Sequence, residues 1–537
     1  MRLIATPTLK AARWARHRLS AEHGFTMVMA LGVLLVTSLL LTAVFFALQG
    51  EIQSGTTDLA TKRAYSAATA GVNAYLYQLN QNPNYWNTCS NDIQSTPVSV
   101  PGSSDGGSYT YAPIYANGNT SCTGNVINSL IDNTTGTIRM LFTGTAGTRP
   151  VVTRAIVVSF RMNSPLDFLW YTHFESVDDG IPGYSDCGVF YRNNRDPNCN
   201  IVWVSADVMN GPAYTDDQYL INTSASPTFG RYANDKIESS APGTQQKDVC
   251  SGSNCQNANF VGNRIENAKP IPTPSDNSEL LTDAQNYGKV FTGTTNISLD
   301  GLTNKATVVS CTSQTSCTTA TTVDLTQYPI LYVSNAPGCT PPAYSPFNVS
   351  YPMNTSGGYP ANTYHAGCAG DVYVSGSYNT PLTIGAANNV VISGNLTTSA
   401  DGSGNPTGSA TLGLVANEFV RVMHGCTSNQ LTNPTIDAAI LALNHSFIVD
   451  NYNCGGSSGN LTVHGAIAQY FRGPVGQVGS GGGVANGYAK NYNYDDRLAN
   501  ILPPYLFDIS NSGWHISRET LCVVGSTATA TGCQAPG

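Results

Sequence analysis

The residues that could do chemistry are few and scattered. Three consecutive carboxylate pairs stand out: Asp178-Asp179, Asp216-Asp217 and Asp495-Asp496. Cleaving a glycosidic bond needs two carboxyl groups facing each other across it. Neighbours on a strand point to opposite faces, so a consecutive pair does not supply that geometry. Turn formation or adventitious Ca²⁺ binding is the plainer reading, and Asp495-Asp496-Arg497 invites a local ion pair, worth little if exposed. Among the eight histidines, His173, His424, His445 and His464 sit in or beside apolar runs. None has the His-x-x-x-His spacing of a metal site, so structural hydrogen bonding is expected of each. No Gly-x-Ser-x-Gly elbow falls between a strand and a helix, and the glycine run after Val478 lacks the context of a phosphate loop. The expectation is therefore no catalytic residue, no metal and no cofactor.

Cysteine is the other reactive type. All 14 follow the first apolar segment, and their number is even. No Cys-x-x-Cys occurs, which argues against zinc and for disulfides in an oxidising compartment. Sequential pairing is predicted: Cys89 with Cys122, Cys187 with Cys199, Cys250 with Cys255, Cys311 with Cys317, Cys339 with Cys368, Cys426 with Cys454, and Cys522 with Cys533. Each bridge would pin one loop and contribute up to roughly 2–4 kcal/mol, less for the shortest loops.

The elements that carry these residues follow from composition. At 537 residues the chain has room for two or more domains and needs no staple merely to fold. Charged residues are 11% of it, and 52 glycines accompany abundant Asn, Ser, Thr and Tyr, a mixture that favours strands and turns. The first 24 residues hold five basic residues and one acidic one; the remainder carries net charge −12. That sign makes a poor nucleic-acid binder.

From Phe25 to Leu48 no charge interrupts 24 residues, enough to span a membrane as a helix. Basic residues precede the run and Glu51 is the first charge after it, so the short N-terminus is expected inside and the rest exported. An ordinary secretory signal would have a shorter apolar region followed by a small-residue cleavage site. Here the small residue, Gly24, comes first. Leu59, Arg63, Ala67, Gly71, Tyr75 and Leu79, with Ala64, Ala68, Val72 and Leu76 beside them, extend the helical pattern to Asn82-Pro83.

His23-Gly24-Phe25-Thr26 after a basic leader resembles the class III signal of type IV prepilins. The resemblance implies that a prepilin peptidase cuts after Gly24 and that the new amine of Phe25 is methylated. Lys62 to Gly71 resembles the Ala-rich, aromatic-containing turn of PilX-type minor pilins. The likeness covers roughly residues 20 to 80. Family members commonly carry glutamate at the fifth mature position and at the position of Thr69; this chain has Met29 and Thr69. Without the carboxylate, an amine buried among packed helices would lack its partner, which points to a minor subunit rather than a main-shaft one. The plain alternative is a single-pass anchor with no filament role.

Tyr109 to Tyr115, Thr137 to Phe142 and Val151 to Met162 read as strands of a small antiparallel sheet. Beyond Ser164-Pro165, short apolar runs alternate with Gly, Asn and Pro turns. Runs from Val372, Val390, Leu412, Ala439 and Leu461 begin about 18 to 27 residues apart, a solenoid-like period. The sequence thus predicts a mainly β chain: a leader (1–24), a long transmembrane helix (25–82), a small α+β pilin-like domain (83–164), a parallel right-handed β-helix (165–525) and a tail (526–537). A β-sandwich or propeller would also suit evenly spaced strands. The resemblance implies a non-catalytic minor pilin-like subunit of a type IV filament or its assembly machinery, held in the cytoplasmic membrane and displaying an extracytoplasmic, disulfide-stapled β domain at the cell surface that could serve adhesion. Its partners would be the membrane, prepilin peptidase, other pilin subunits and a surface or carbohydrate ligand, not nucleic acid. The alternative is a membrane-tethered β-helix enzyme acting on surface polysaccharide, which rests on fold analogy.

Overall fold

The computed structural model describes residues 25–82, 85–102, 107–122, 129–132, 136–222, 225–241, 248–250, 258–313, 316–351, 367–479, 483–499, 501–506, 513–522, 527–529 and 532–534. It is mainly β, with one long N-terminal helix, α1 (Phe25–Gln81). Two compact units emerge. The first holds the helix up to Gly71 with residues 95–110 and 142–156, and the second holds residues 72–94, 111–141 and 157 onward.

In the first unit every side chain from Met27 to Gln49 is exposed. Further along, Ala60, Ala64, Ala67 and Ala68 turn inward while Leu59 is 46% exposed. Of the stripe read from the sequence, Ala67, Gly71, Tyr75 and Leu79 are buried, whereas Leu59 and Arg63 are exposed. Small residues are required there: a Cβ on Gly144 would lie 2.0 Å from the Ala64 carbonyl oxygen and 2.4 Å from the Ala68 nitrogen. A Cβ on Gly71 would lie 2.7 Å from the ring of Tyr109.

In the second unit α1 continues its stripe with Val72, Tyr75 and Leu79, all buried. The Tyr75 ring packs against Tyr85, Tyr111 and Phe160. One six-stranded sheet, whose residues are divided between the two units, runs in the order Gln94–Ser99, Ser108–Pro113, Thr137–Ala146, Val152–Met162 and Trp514–Leu521, with Ile131–Asp132 antiparallel to the third. The last of these strands comes from the far end of the chain.

Most of the remaining strands form parallel ladders whose columns can be read residue by residue. Leu331 pairs with Ile384, Ile384 with Leu414, Leu414 with Ile440, and Ile440 with Ile467. The column then steps from Ile467 to Trp170, and on through Ala213 and Ile237 to Arg264. A second column runs Ile297, Val374, Ile392, Val422 and Val449. A third runs Val463, Tyr492, Met209, Phe229 and Phe260. Identical faces repeat at the spacing of neighbouring strands, about 4.8 Å, so apolar side chains pack into one continuous core.

The order of the ladders departs from chain order. Residues 170–266 stack beyond residues 457–471, and Val484–Tyr494 lies beside Ser457–Phe471 and Val208–Asn210. The sequence reading named no strand at Val484–Tyr494, whose large buried side chains are the tyrosines Tyr488, Tyr492 and Tyr494. Helix α2 (Ser278–Tyr287) buries Leu280 and Ala284. Just ahead of it, the Asn277 amide donates to the Ala386 carbonyl and its oxygen accepts from the Tyr332 hydroxyl. At the start of the ladders, Lys305–Ser313 pairs antiparallel with both Thr294–Asp300 and Thr321–Asp324.

Candidate functional site

Gly24 lies outside the described residues, and Phe25 is the first residue of α1. Met29 and Thr69 are both helical, and Met29 is 64% exposed. The Thr69 hydroxyl donates to the carbonyl of Tyr65. The helix Phe25–Gln81 contains the one span among the described residues that is long and apolar enough to cross a membrane.

Bridges join Cys89 to Cys122, Cys187 to Cys199, Cys311 to Cys317, Cys339 to Cys368 and Cys426 to Cys454. The side chains needed to judge Cys250 with Cys255 and Cys522 with Cys533 fall outside the described ones.

The carboxylate pairs split apart. Asp178 is fully buried and accepts from His445, from the Ser446 hydroxyl and from the Gly180 amide, whereas Asp179 is exposed. Asp216 accepts from the hydroxyls of Tyr214 (2.6 Å) and Ser240 and pairs with His173 (2.7 Å). Asp217 turns the other way, to Arg195 and the backbone amides of Glu175 and Tyr191. These two were read as turn formers; they are instead hubs that hold loops onto the ladders. Asp495 binds Arg497 through both its oxygens, and Arg497 also donates to the carbonyls of Thr407, Gly408 and Ala410. That pair is largely buried, so it ties two segments together.

The histidines follow the same logic. His464 pairs with Asp437 and His424 with the Ser458 hydroxyl. His445 lies between Asp178 (2.9 Å) and Glu418 (2.8 Å), its ring stacked on Phe419. Burial opposes its charge, but the two carboxylates overcome that and push its pKa up to about 9. No group of three metal-binding side chains occurs among the described residues.

Sequence reasoning missed two buried ionic clusters. Glu175 accepts from the indole nitrogens of Trp170 and Trp203, the Thr172 hydroxyl and Arg472. Arg421 makes a bidentate pair with Asp450, which also accepts from the hydroxyls of Tyr344 and Tyr351. Single charges in apolar runs, such as Arg421 in Val420–Val422, were the available signal. A buried cation needs a partner.

The Arg421–Asp450 pair underlies an open cleft of about 510 Å³, lined by residues 348–351, 425–429 and Asn451. Its floor is fixed. The Asn451 side chain accepts from the Val349 amide and donates to the carbonyls of Val349 and His424, and the Tyr351 hydroxyl accepts from the His424 amide. Asn348, Asn429 and Asn451 all have positive φ, a conformation asparagine adopts more readily than most residues. The Cys426–Cys454 bridge holds the 425–429 wall.

No protein-family model matches the chain, and no curated protein matches it. Among solved structures it is similar to the competence-associated pilin ComZ from Thermus thermophilus, at 13% identity over 86% of this chain and 97% of that one, with a TM-score of 0.28. That superposition is too loose to establish a common fold.

Proposed function

We propose that the chain is a non-catalytic, minor pilin-like subunit that is cut after Gly24, is held in the cytoplasmic membrane by its helix and carries a large exported β domain. The observation that carries this reading is α1. Its first half exposes apolar residues on every side, and water does not tolerate so large an apolar surface. Its second half buries an Ala and Gly seam of the kind that lets a helix lie close on a sheet. The leader 1–24, the small domain 83–164, the β domain 165–525 and the tail 526–537 are the divisions that go with it.

The β domain is a parallel β-helix in this reading, right-handed as parallel crossovers almost always are. Its support is the unbroken columns from Leu331 to Arg264. Five bridged cysteine pairs suit an oxidising, extracytoplasmic setting. The engagement of Asp178, Asp216 and Asp217 in loop-holding bonds favours a structural subunit over a polysaccharide hydrolase.

The reading is tested by expressing the chain in a pilus-bearing bacterium and probing sheared surface filaments and intact cells. Recovery of the chain with filaments, and loss of recovery when Phe25–Leu48 is replaced by an unrelated transmembrane helix, is expected. Retention in the cytoplasm would overturn it, and polysaccharide turnover abolished by an Asp substitution would favour the enzyme.

A further inference from the structure

We propose that the cleft between residues 348–351 and 425–429 binds a neutral oligosaccharide. This goes beyond membrane anchoring and stands without it, because the cleft belongs wholly to the exported part.

The first argument is charge. None of the ten lining residues is ionisable at neutral pH: they are Asn348, Val349, Ser350, Tyr351, residues 425–429 and Asn451. The charged pair that Tyr351 contacts through its hydroxyl, Arg421 and Asp450, is mutually neutralised by bidentate bonding. An anionic or cationic ligand would lose hydration and meet no countercharge. Neutral ligands alone suit such a wall.

The second argument separates kinds of neutral ligand. Val349 is the only aliphatic side chain in the lining among the described residues, so an apolar peptide side chain or acyl chain finds little matching surface there. Tyr351 is only 7% exposed, which leaves little ring surface on which a base could stack. What the walls do offer is closely spaced hydroxyl and amide groups from Ser350, Thr427, Ser428, Asn348 and Asn429, each able to donate and accept. Sugar hydroxyls have the same dual capacity. The volume, about 510 Å³, falls in the roughly 300–1,000 Å³ range of small-ligand sites.

The third argument is preorganisation. The Asn451 side chain is spent on three bonds to the backbone, which fixes one wall against the other. The Gly425 amide donates to the Asn429 carbonyl across the turn, and a Cβ on Gly425 would lie 1.9 Å from the Ser428 carbonyl oxygen. Glycine is therefore required at that turn. A ligand entering walls already ordered loses less affinity to their ordering.

The test is calorimetric titration of the full chain in detergent with three trimers: N-acetylglucosamine trimer (neutral), glucosamine trimer (cationic) and galacturonic acid trimer (anionic), with maltotriose as a second neutral probe. Saturable binding is expected for at least one neutral trimer and for neither charged one. Ser428→Trp and Ser350→Trp, both at exposed rim positions, are expected to weaken it at least about tenfold, near 1.4 kcal/mol, with the melting temperature unchanged. Absence of binding by both neutral trimers overturns the proposal, as does binding that survives both substitutions or tighter binding of a charged trimer. Since none of these readouts involves leader cleavage or filaments, failure here leaves the pilin reading to its own test.

Discussion

At the scale of single residues, two ionisable groups with raised pKa values lose their contributions to stability over different ranges of rising pH. Asp92 is fully buried; one carboxylate oxygen accepts from the Tyr75 hydroxyl, and the other has no hydrogen-bond partner among the described residues. Burial outweighs that hydrogen bond and pushes its pKa up to about 7. A carboxyl whose folded pKa is raised contributes its stability below the unfolded pKa, near 4, and loses it as pH rises through 7. Melting of the full chain should therefore lose about 2–4 kcal/mol between pH 4 and pH 8, and Asp92→Asn should flatten that slope. A slope unchanged by the substitution would contradict the assignment. His445 works at higher pH. With its pKa raised to about 9, its pairs with Asp178 and Glu418 are fully present below pH 6.5 and lost as pH passes 9. His445→Gln should remove about 2–3 kcal/mol of stability at pH 6 and very little at pH 10, read by thermal melting at both. Little of this was legible beforehand. The sequence shows Asp178 beside Asp179, but only the fold brings in His445, 267 residues away.

At the scale of elements, the apolar helix was legible because 24 uncharged residues admit few other structures. Its inner seam was legible in part: Ala64, Ala68, Val72 and Tyr75 are buried, but Leu59 is not. Spacings near four do not reveal which of two adjacent positions meets a sheet whose own glycine, Gly144, is distant in sequence. Gly144→Val should drive a side chain into the Ala64 and Ala68 backbone and cost about 1–3 kcal/mol or more. Limited proteolysis within residues 142–156 would report it, and unchanged protection would contradict the packing. Strands with aliphatic runs, such as Leu412–Ala416, were read directly. Val484–Tyr494 was not, since strands built on tyrosine, asparagine and glycine look like turns until partners cover them.

At the scale of the whole molecule, the column that steps from Ile467 to Trp170 was invisible in the sequence, where a solenoid is expected to stack in chain order. Closing the stack with its own early segment makes residues 170–174 and 457–471 depend on each other. Hydrogen exchange should then give the amides of Trp170–Phe174 and of Ile467–Phe471 the same opening free energy. Trp170→Ala, which removes a fully buried ring, should lower both together by about 3–5 kcal/mol. Independent opening of the two segments would contradict the closure. The exposed apolar half of α1 is the basis of the membrane-anchored pilin reading. Mass spectrometry of the mature N-terminus tests that reading most directly. We expect a first residue of Phe25 carrying a methylated amine; an intact leader, with residues 1–24 still attached to α1, would contradict it.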